Sequence, residues 1–200
     1  MKKIFLLLIL LSNFAIGQNV DAEQINDLVN TIAKLIHKSK DSNSASSYAK
    51  EILNITDVVN SASNARFHGG KSRIGFKLNL PTGTQKWFYR ITIMNVETNF
   101  NYQPSESFYN SLTKHTSLTP RKLTEDGLDV YITDDYNINN FLETGNDNFK
   151  SYEDYKTLNT SSFINTSDLI KNNLWIGIKN PNMMQGLKVI VEVVAMGNFN

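Results

Sequence analysis

The densest set of oxygen donors in this sequence is Asp134, Asp135, Asn137 and Asn139, followed by Asn140 and Glu143. Hard calcium ions take alternating carboxylate and amide oxygens from loops, and Asp135-x-Asn137-x-Asn139 has the spacing that opens a calcium loop. The sixth position of that pattern is Asn140 rather than glycine, and the twelfth is Asn146 rather than glutamate. Asn and Asp also build turns without any ion. No cofactor is therefore expected; calcium, with Asp134, Asp135, Asn137 and Asn139 as its ligands, is the alternative the cluster offers.

A second chemistry is stacking. Trp87, Tyr89, Tyr102, Phe108, Tyr109, Tyr131 and Trp175 carry flat rings that could lie against sugar rings. Strands also favour aromatics, and most of these rings suit a sheet core. Tyr102, Phe108 and Tyr109 stand in a polar stretch, so they are expected to be exposed and are the candidate glycan contacts.

Catalytic signatures are sparse. His37, His68 and His115 form no HxH or HExxH pair. No GxSxG elbow occurs, so a Ser-His-Asp set would have to be assembled from scattered residues. Glu125 with Asp126, and Asp134 with Asp135, are chain neighbours whose side chains would point to opposite faces of a strand. Ala65 to Ser72 (ARFHGGKS) fits a relaxed phosphate-loop pattern, but a working loop follows a strand and opens a helix. Here a helical pattern precedes it and an alternating strand follows. A non-catalytic protein is expected; the alternative is a small hydrolase whose pocket pairs His115 or His68 with a carboxylate.

The 200 residues carry 20 Lys and Arg against 19 Asp and Glu, with 40% hydrophobic residues and no cysteine. Near-neutral charge speaks against a phosphate-backbone partner, so no nucleic acid is expected. The lack of thiols excludes disulfides, thiolate zinc sites and a cysteine nucleophile. Residues 1–17 join Lys2 and Lys3 to the apolar run Ile4 to Leu11 and end in Ala15-Ile16-Gly17, the three parts of a secretory signal peptide. Eight apolar residues are too few to cross a bilayer, which takes about 20. Cleavage after Gly17 is expected, leaving a chain with no membrane span, exported to the periplasm or the extracellular space.

The elements that must position these residues follow from periodicity. Ile25, Leu28, Val29, Ile32, Leu35 and Ile36 mark one face of a helix over 21–40, and Tyr48, Ile52, Ile55 and Val59 mark a second helix. Residues 18–66 are therefore expected to form an amphipathic helical hairpin. From Arg73 the period becomes two. Ile74, Phe76, Leu78 and Leu80 alternate with a wet face, Pro81 to Thr84 turns, and Trp87 to Val96 returns, predicting a hairpin. Leu128, Val130 and Ile132 make another strand. Leu174 to Lys179 and Leu187 to Met196 predict a further hairpin. The last strand is half apolar on its second face too, so it is expected at the centre of a sheet, covered on both sides. Residues 97–127 are expected to be a long loop. These pieces close as an antiparallel β-sandwich over residues 67–200.

Gly127-Leu128-Asp129-Val130-Tyr131-Ile132, Leu174-Trp175-Ile176-Gly177-Ile178-Lys179-Asn180 and Gly186-Leu187-Lys188-Val189 resemble, over residues 73–196, the strand signatures of bacterial pre-peptidase C-terminal-type jelly-roll domains. That resemblance implies a jelly-roll accessory or binding domain of an exported protein, although no protease domain accompanies it here. A surface protein or a glycan is the expected partner. The other class kept open is a structural component that self-assembles as a homo-oligomer through strand edges or the helical hairpin.

Overall fold

The computed structural model describes residues 49–96, 104, 106–114, 127–143, 147–155, 162–197 and 199. Eight strands form two antiparallel sheets: β1 (Ala49–Val59), β2 (Arg73–Leu78), β3 (Thr84–Asn95), β4 (Asp129–Asp134), β5 (Glu153–Tyr155), β6 (Ser162–Ser167), β7 (Leu174–Lys179) and β8 (Leu187–Gly197). The order is β1-β8-β3-β6 in one sheet and β2-β7-β4-β5 in the other. Strand 1 pairs with 8, 2 with 7, 3 with 6 and 4 with 5, as though one long hairpin had been rolled up. The seams β3 with β8 and β4 with β7 close the roll. Among the described residues, three short helices accompany the strands: α1 (Ala62–Phe67), α2 (Phe108–Lys114) and α3 (Asp135–Leu142).

The core lies between the sheets. Ile74, Phe76 and Leu78 of β2 and Leu174, Ile176 and Ile178 of β7 meet Trp87, Tyr89, Ile91 and Ile93 of β3 and Leu187, Val189, Val191 and Val193 of β8. The alternate positions of β8 are buried as well, so the whole strand is covered, as its two half-apolar faces require. Buried Asn180 ties the crossing from β7 to β8 back to β1, donating its amide to the carbonyls of Val59 and Gln185.

The helical hairpin expected over residues 18–66 is not present: its second helix is β1, an edge strand on β8, so the sheet already includes residue 49. The misleading spacing has a local cause. The register with β8 slips between Glu51 and Leu53, so Ile52 is a bulge residue, and both Ile52 and Leu53 pack against the core. A bulge resets the alternation of a strand, and the mixed parity of Ile52, Ile55 and Val59 imitates a helical face. The first expected helix, over 21–40, lies outside the described residues.

Two hairpin expectations also need correction. β2 and β3 lie in different sheets, and so do β7 and β8. The turn at Pro81, where Thr84 N–H reaches the Pro81 carbonyl at 3.1 Å, carries the chain across the sandwich rather than back along it. Turn residues mark where a strand stops; which sheet receives the next strand is set by the core both must cover.

Candidate functional site

Helix α3 lies on the outer face of the β2-β7-β4 sheet. Its seat is made by two glycines facing each other across β2 and β7, Gly75 and Gly177. A Cβ on Gly75 would stand 2.9 Å from Ile138 Cδ1, and one on Gly177 would stand 2.8 Å from Phe141 Cε1. The absence of side chains lets Ile138 and Phe141 reach the sheet. Tyr131 and Phe149 close around Phe141, and the two phenylalanine rings meet edge to face at 5.1 Å.

Arg73 holds the C-terminal end of this helix. It is buried and donates to the Phe141 carbonyl at 2.9 Å and to Asp147 at 2.5 Å, so its cation meets the carbonyl end of the helix. The same guanidinium keeps the Asp147 carboxyl below the usual carboxylate range.

At the other end, Asp134 terminates β4 and caps α3. Its Oδ1 accepts from the backbone N–H groups of Tyr136 and Asn137 and from the Asn137 side chain, while its Oδ2 accepts from the Tyr152 hydroxyl at 2.9 Å. Asp135 accepts from the Trp175 indole at 2.5 Å and from Lys77 at 3.2 Å. The Lys77 ammonium also sits 5.8 Å from the centre of the Trp175 ring. Both carboxyls are held below their ordinary range, Asp134 foremost by the Asn137 N–H and Asp135 foremost by the Trp175 indole.

The Tyr152 and Trp175 rings touch these two carboxylates, and Tyr136 follows them in the first turn of α3. Trp175 is half-buried, Tyr152 is 44% exposed, and Tyr136 is 79% exposed. The Lys171 ammonium lies 3.9 Å from the centre of the Tyr152 ring. A carboxylate has about four acceptor positions, and among the described residues the Oδ2 atoms of Asp134 and Asp135 each accept a single bond. The surface therefore combines fixed acceptors, two ammonium donors and apolar ring faces.

Of the expected calcium ligands, Asp134 is the helix cap, Asp135 holds Trp175 and Lys77, and Asn137 Oδ1 accepts from Lys150 N–H at 3.0 Å. Asn139 turns its amide to the Asp135 carbonyl. Among the described residues, no three His, Asp or Glu side chains are grouped to hold a metal ion. Of the expected glycan contacts, Tyr102 lies outside the described residues and Tyr109 is half-buried on α2. Phe108 corrects the expectation of exposure, since it is completely buried with its ring against the Arg90 guanidinium. It starts an amphipathic turn, which a polar composition conceals. His68 is the exposed C-cap of α1; His37 and His115 lie outside the described residues. The Ala65 to Ser72 segment does run from helix to strand, opposite to a phosphate loop.

Trp175 was legible as a ring-bearing position, whereas Tyr136, Tyr152, Lys77 and Lys171 were not. The available signal was Asp134-Asp135-Tyr136-Asn137 after a strand, a helix start that places a tyrosine in the first turn. No protein-family model matches the chain, and no curated protein matches it. Among the described residues, no helix is long and apolar enough to cross a membrane.

Proposed function

We propose that this protein is an exported, non-catalytic binding module that takes a glycan at the N-terminal end of α3. The observation that carries this is the fixing of Tyr152 on Asp134 and Trp175 on Asp135, with exposed Tyr136 in the first turn of the helix that Asp134 caps. Sugar rings present apolar C–H faces and hydroxyl edges, and such a ligand matches aromatic faces flanked by fixed carboxylates and ammonium groups. The helix carrying Tyr136 is held at both ends and seated on glycine, so the backbone under that ring is fixed before a ligand arrives, which lowers the entropic cost of binding. Support for export comes from residues 1–17, with their Lys2-Lys3 start, apolar run and small residues at Ala15 and Gly17. The strand pairing of 1 with 8, 2 with 7, 3 with 6 and 4 with 5 has the winding of a jelly roll, in keeping with the resemblance to pre-peptidase C-terminal-type domains.

A surface protein as partner is favoured by a separate observation. Phe67, Met183 and Met184 are exposed at the end of the sandwich where Ser63 N–H bonds the Met183 carbonyl.

The test is thermal unfolding of the protein against a panel of neutral and acidic polysaccharides, since a ligand that binds only the folded state raises the midpoint. At least one polysaccharide should raise it, and Tyr136→Ala should abolish the rise. That substitution should change unliganded stability by no more than about 0.5 kcal/mol, as for other exposed positions. A flat panel, or a rise that survives Tyr136→Ala and Tyr152→Ala, would reject this site.

A further inference from the structure

The flank of the sandwich opposite β1 and β2 is formed by the edge strands β5 and β6, one from each sheet. Glu153 of β5 is registered with Ile132, a core residue, so its side chain turns inward between the sheets. Ser167 of β6 is registered with Trp87, also in the core, and turns inward from the other side. The Ser167 hydroxyl donates to Glu153 Oε1 at 2.7 Å and accepts from Leu169 N–H at 3.1 Å. The second oxygen, Oε2, is shielded from solvent and has no hydrogen-bond partner. The charged groups beside it are Asp168, just after β6, and Lys86 of β3, whose ammonium holds Asp168 at 2.8 Å. Lys86 is thus committed to Asp168, and what remains of the Asp168 charge acts on Glu153 as a second carboxylate.

A bare carboxylate oxygen is poorly tolerated in such a place, whereas a neutral acid needs far less solvation. We propose that Glu153 is a proton-operated latch between the two sheets: the neutral acid is tolerated in the dry seam between β5 and β6, and ionisation, whose cost the Ser167 hydrogen bond offsets only in part, loosens this flank.

Burial pushes the Glu153 carboxyl above its ordinary range, with the Asp168 charge adding to the rise. A group whose folded value lies above its unfolded value contributes fully at pH below the ordinary glutamate range, and that contribution is lost as pH rises through the raised value. The flank is therefore tightest in mildly acidic surroundings and loosest in neutral to alkaline ones. This role does not rest on the glycan reading, although Tyr152 of that surface directly precedes Glu153 in the chain.

The experiment compares thermal midpoints of the wild-type protein and Glu153→Gln between about pH 4 and about pH 8. The amide mimics the neutral acid, so the variant should match the wild type at the acid end and exceed it by about 2–4 °C at the alkaline end. Other titrating carboxylates cancel in this difference. In the wild type, the ¹³C signal of the Glu153 carboxyl should titrate above the ordinary glutamate range. Amide protection in β5 and β6 should fall through the same interval relative to β4 and β7. A gap between the two proteins that does not change with pH, or a carboxyl that titrates in the ordinary range, would overturn the latch. Should Glu153→Gln fail to fold, the wild-type titration and protection profile decide the matter alone.

Discussion

The two outer faces of the sandwich meet the same demand in different ways. Each is roofed by a short helix, α2 over the β1-β8 side and α3 over the β2-β7-β4 side, and helices of this length are not stable alone in water. Under α2 the fastening is a buried ion pair. Arg90 and Glu192 face each other across β3 and β8, with Nε to Oε2 at 2.7 Å. Glu192 Oε1 accepts the Phe108 N–H at 2.7 Å, capping α2, while Arg90 donates to the Glu106 carbonyl and lies under the Phe108 ring. Under α3 the centre is apolar, two glycines against Ile138 and Phe141, and the charges are set at the two ends. One roof is centred on a buried ion pair, the other on shape, with its buried cation Arg73 at the helix end. The difference teaches where each is vulnerable, and why the second can expose polar groups and rings at its rim.

The largest effect is therefore expected at Glu192. Glu192→Ala leaves the Arg90 cation buried with its carboxylate partner gone, and breaking a buried pair from one side costs about 3–5 kcal/mol. Urea unfolding of the variant should show a loss of that size. Replacing both partners, Arg90→Met with Glu192→Leu, should recover much of it, because the unpaired charge is removed. A loss from Glu192→Ala smaller than that of a surface substitution would mean that water reaches the pair, and the contrast between the roofs would fail.

Next comes the glycine seat. Gly177→Ala places a methyl 2.8 Å from the Phe141 ring, whose position is fixed by Tyr131 and Phe149. Overpacking of this kind costs about 1–3 kcal/mol. A second substitution, Phe141→Leu, should soften the loss if the ring is the obstacle. Equal losses with and without it would locate the strain in the β7 backbone instead and would weaken the claim that shape fastens α3.

These two roofs also show what the sequence could reveal. The alternation in β2, β4, β7 and β8 identified the inner face, and the second apolar face of β8 marked it as central and covered. The wet face expected for β2 was only partly so: Arg73 is 5% exposed because α3 lies over it, and Lys77 remains at the surface. A charge in an alternating strand gives no sign of a helix whose carbonyl arrives from 68 positions further along. Glycine at 75 and 177 had such a sign, since glycine within a strand points to close approach by another group. The Asp134 to Asn139 cluster was conspicuous for its oxygen atoms, but three of its first four residues direct them or their amides to the helix they begin. Composition could identify the donors without showing which partners they meet. Register was the other hidden quantity: the Ile52 bulge shifts the parity of β1, so counting alone gives the wrong period.

The smallest expected effect separates the rim of α3 from its seat. Asp134→Ala removes the cap from an exposed helix start, and loss of an N-cap costs about 0.5–2 kcal/mol, here toward the lower end because the carboxylate is solvent-screened. The Asp134 carboxyl lies below its ordinary range, so its contribution is complete above that range and is lost as pH falls through the depressed value. Asp134→Ala should therefore lie below the wild type at neutral pH and converge with it in acid, opposite in direction to Glu153→Gln. Chemical unfolding at neutral and acidic pH measures both. The Tyr152 hydroxyl loses its acceptor in this variant, so glycan affinity should fall more than stability does. A variant that keeps full glycan affinity would show that the cap and the rings act separately, and that α3 holds Tyr136 in place through Ile138 and Phe141 alone.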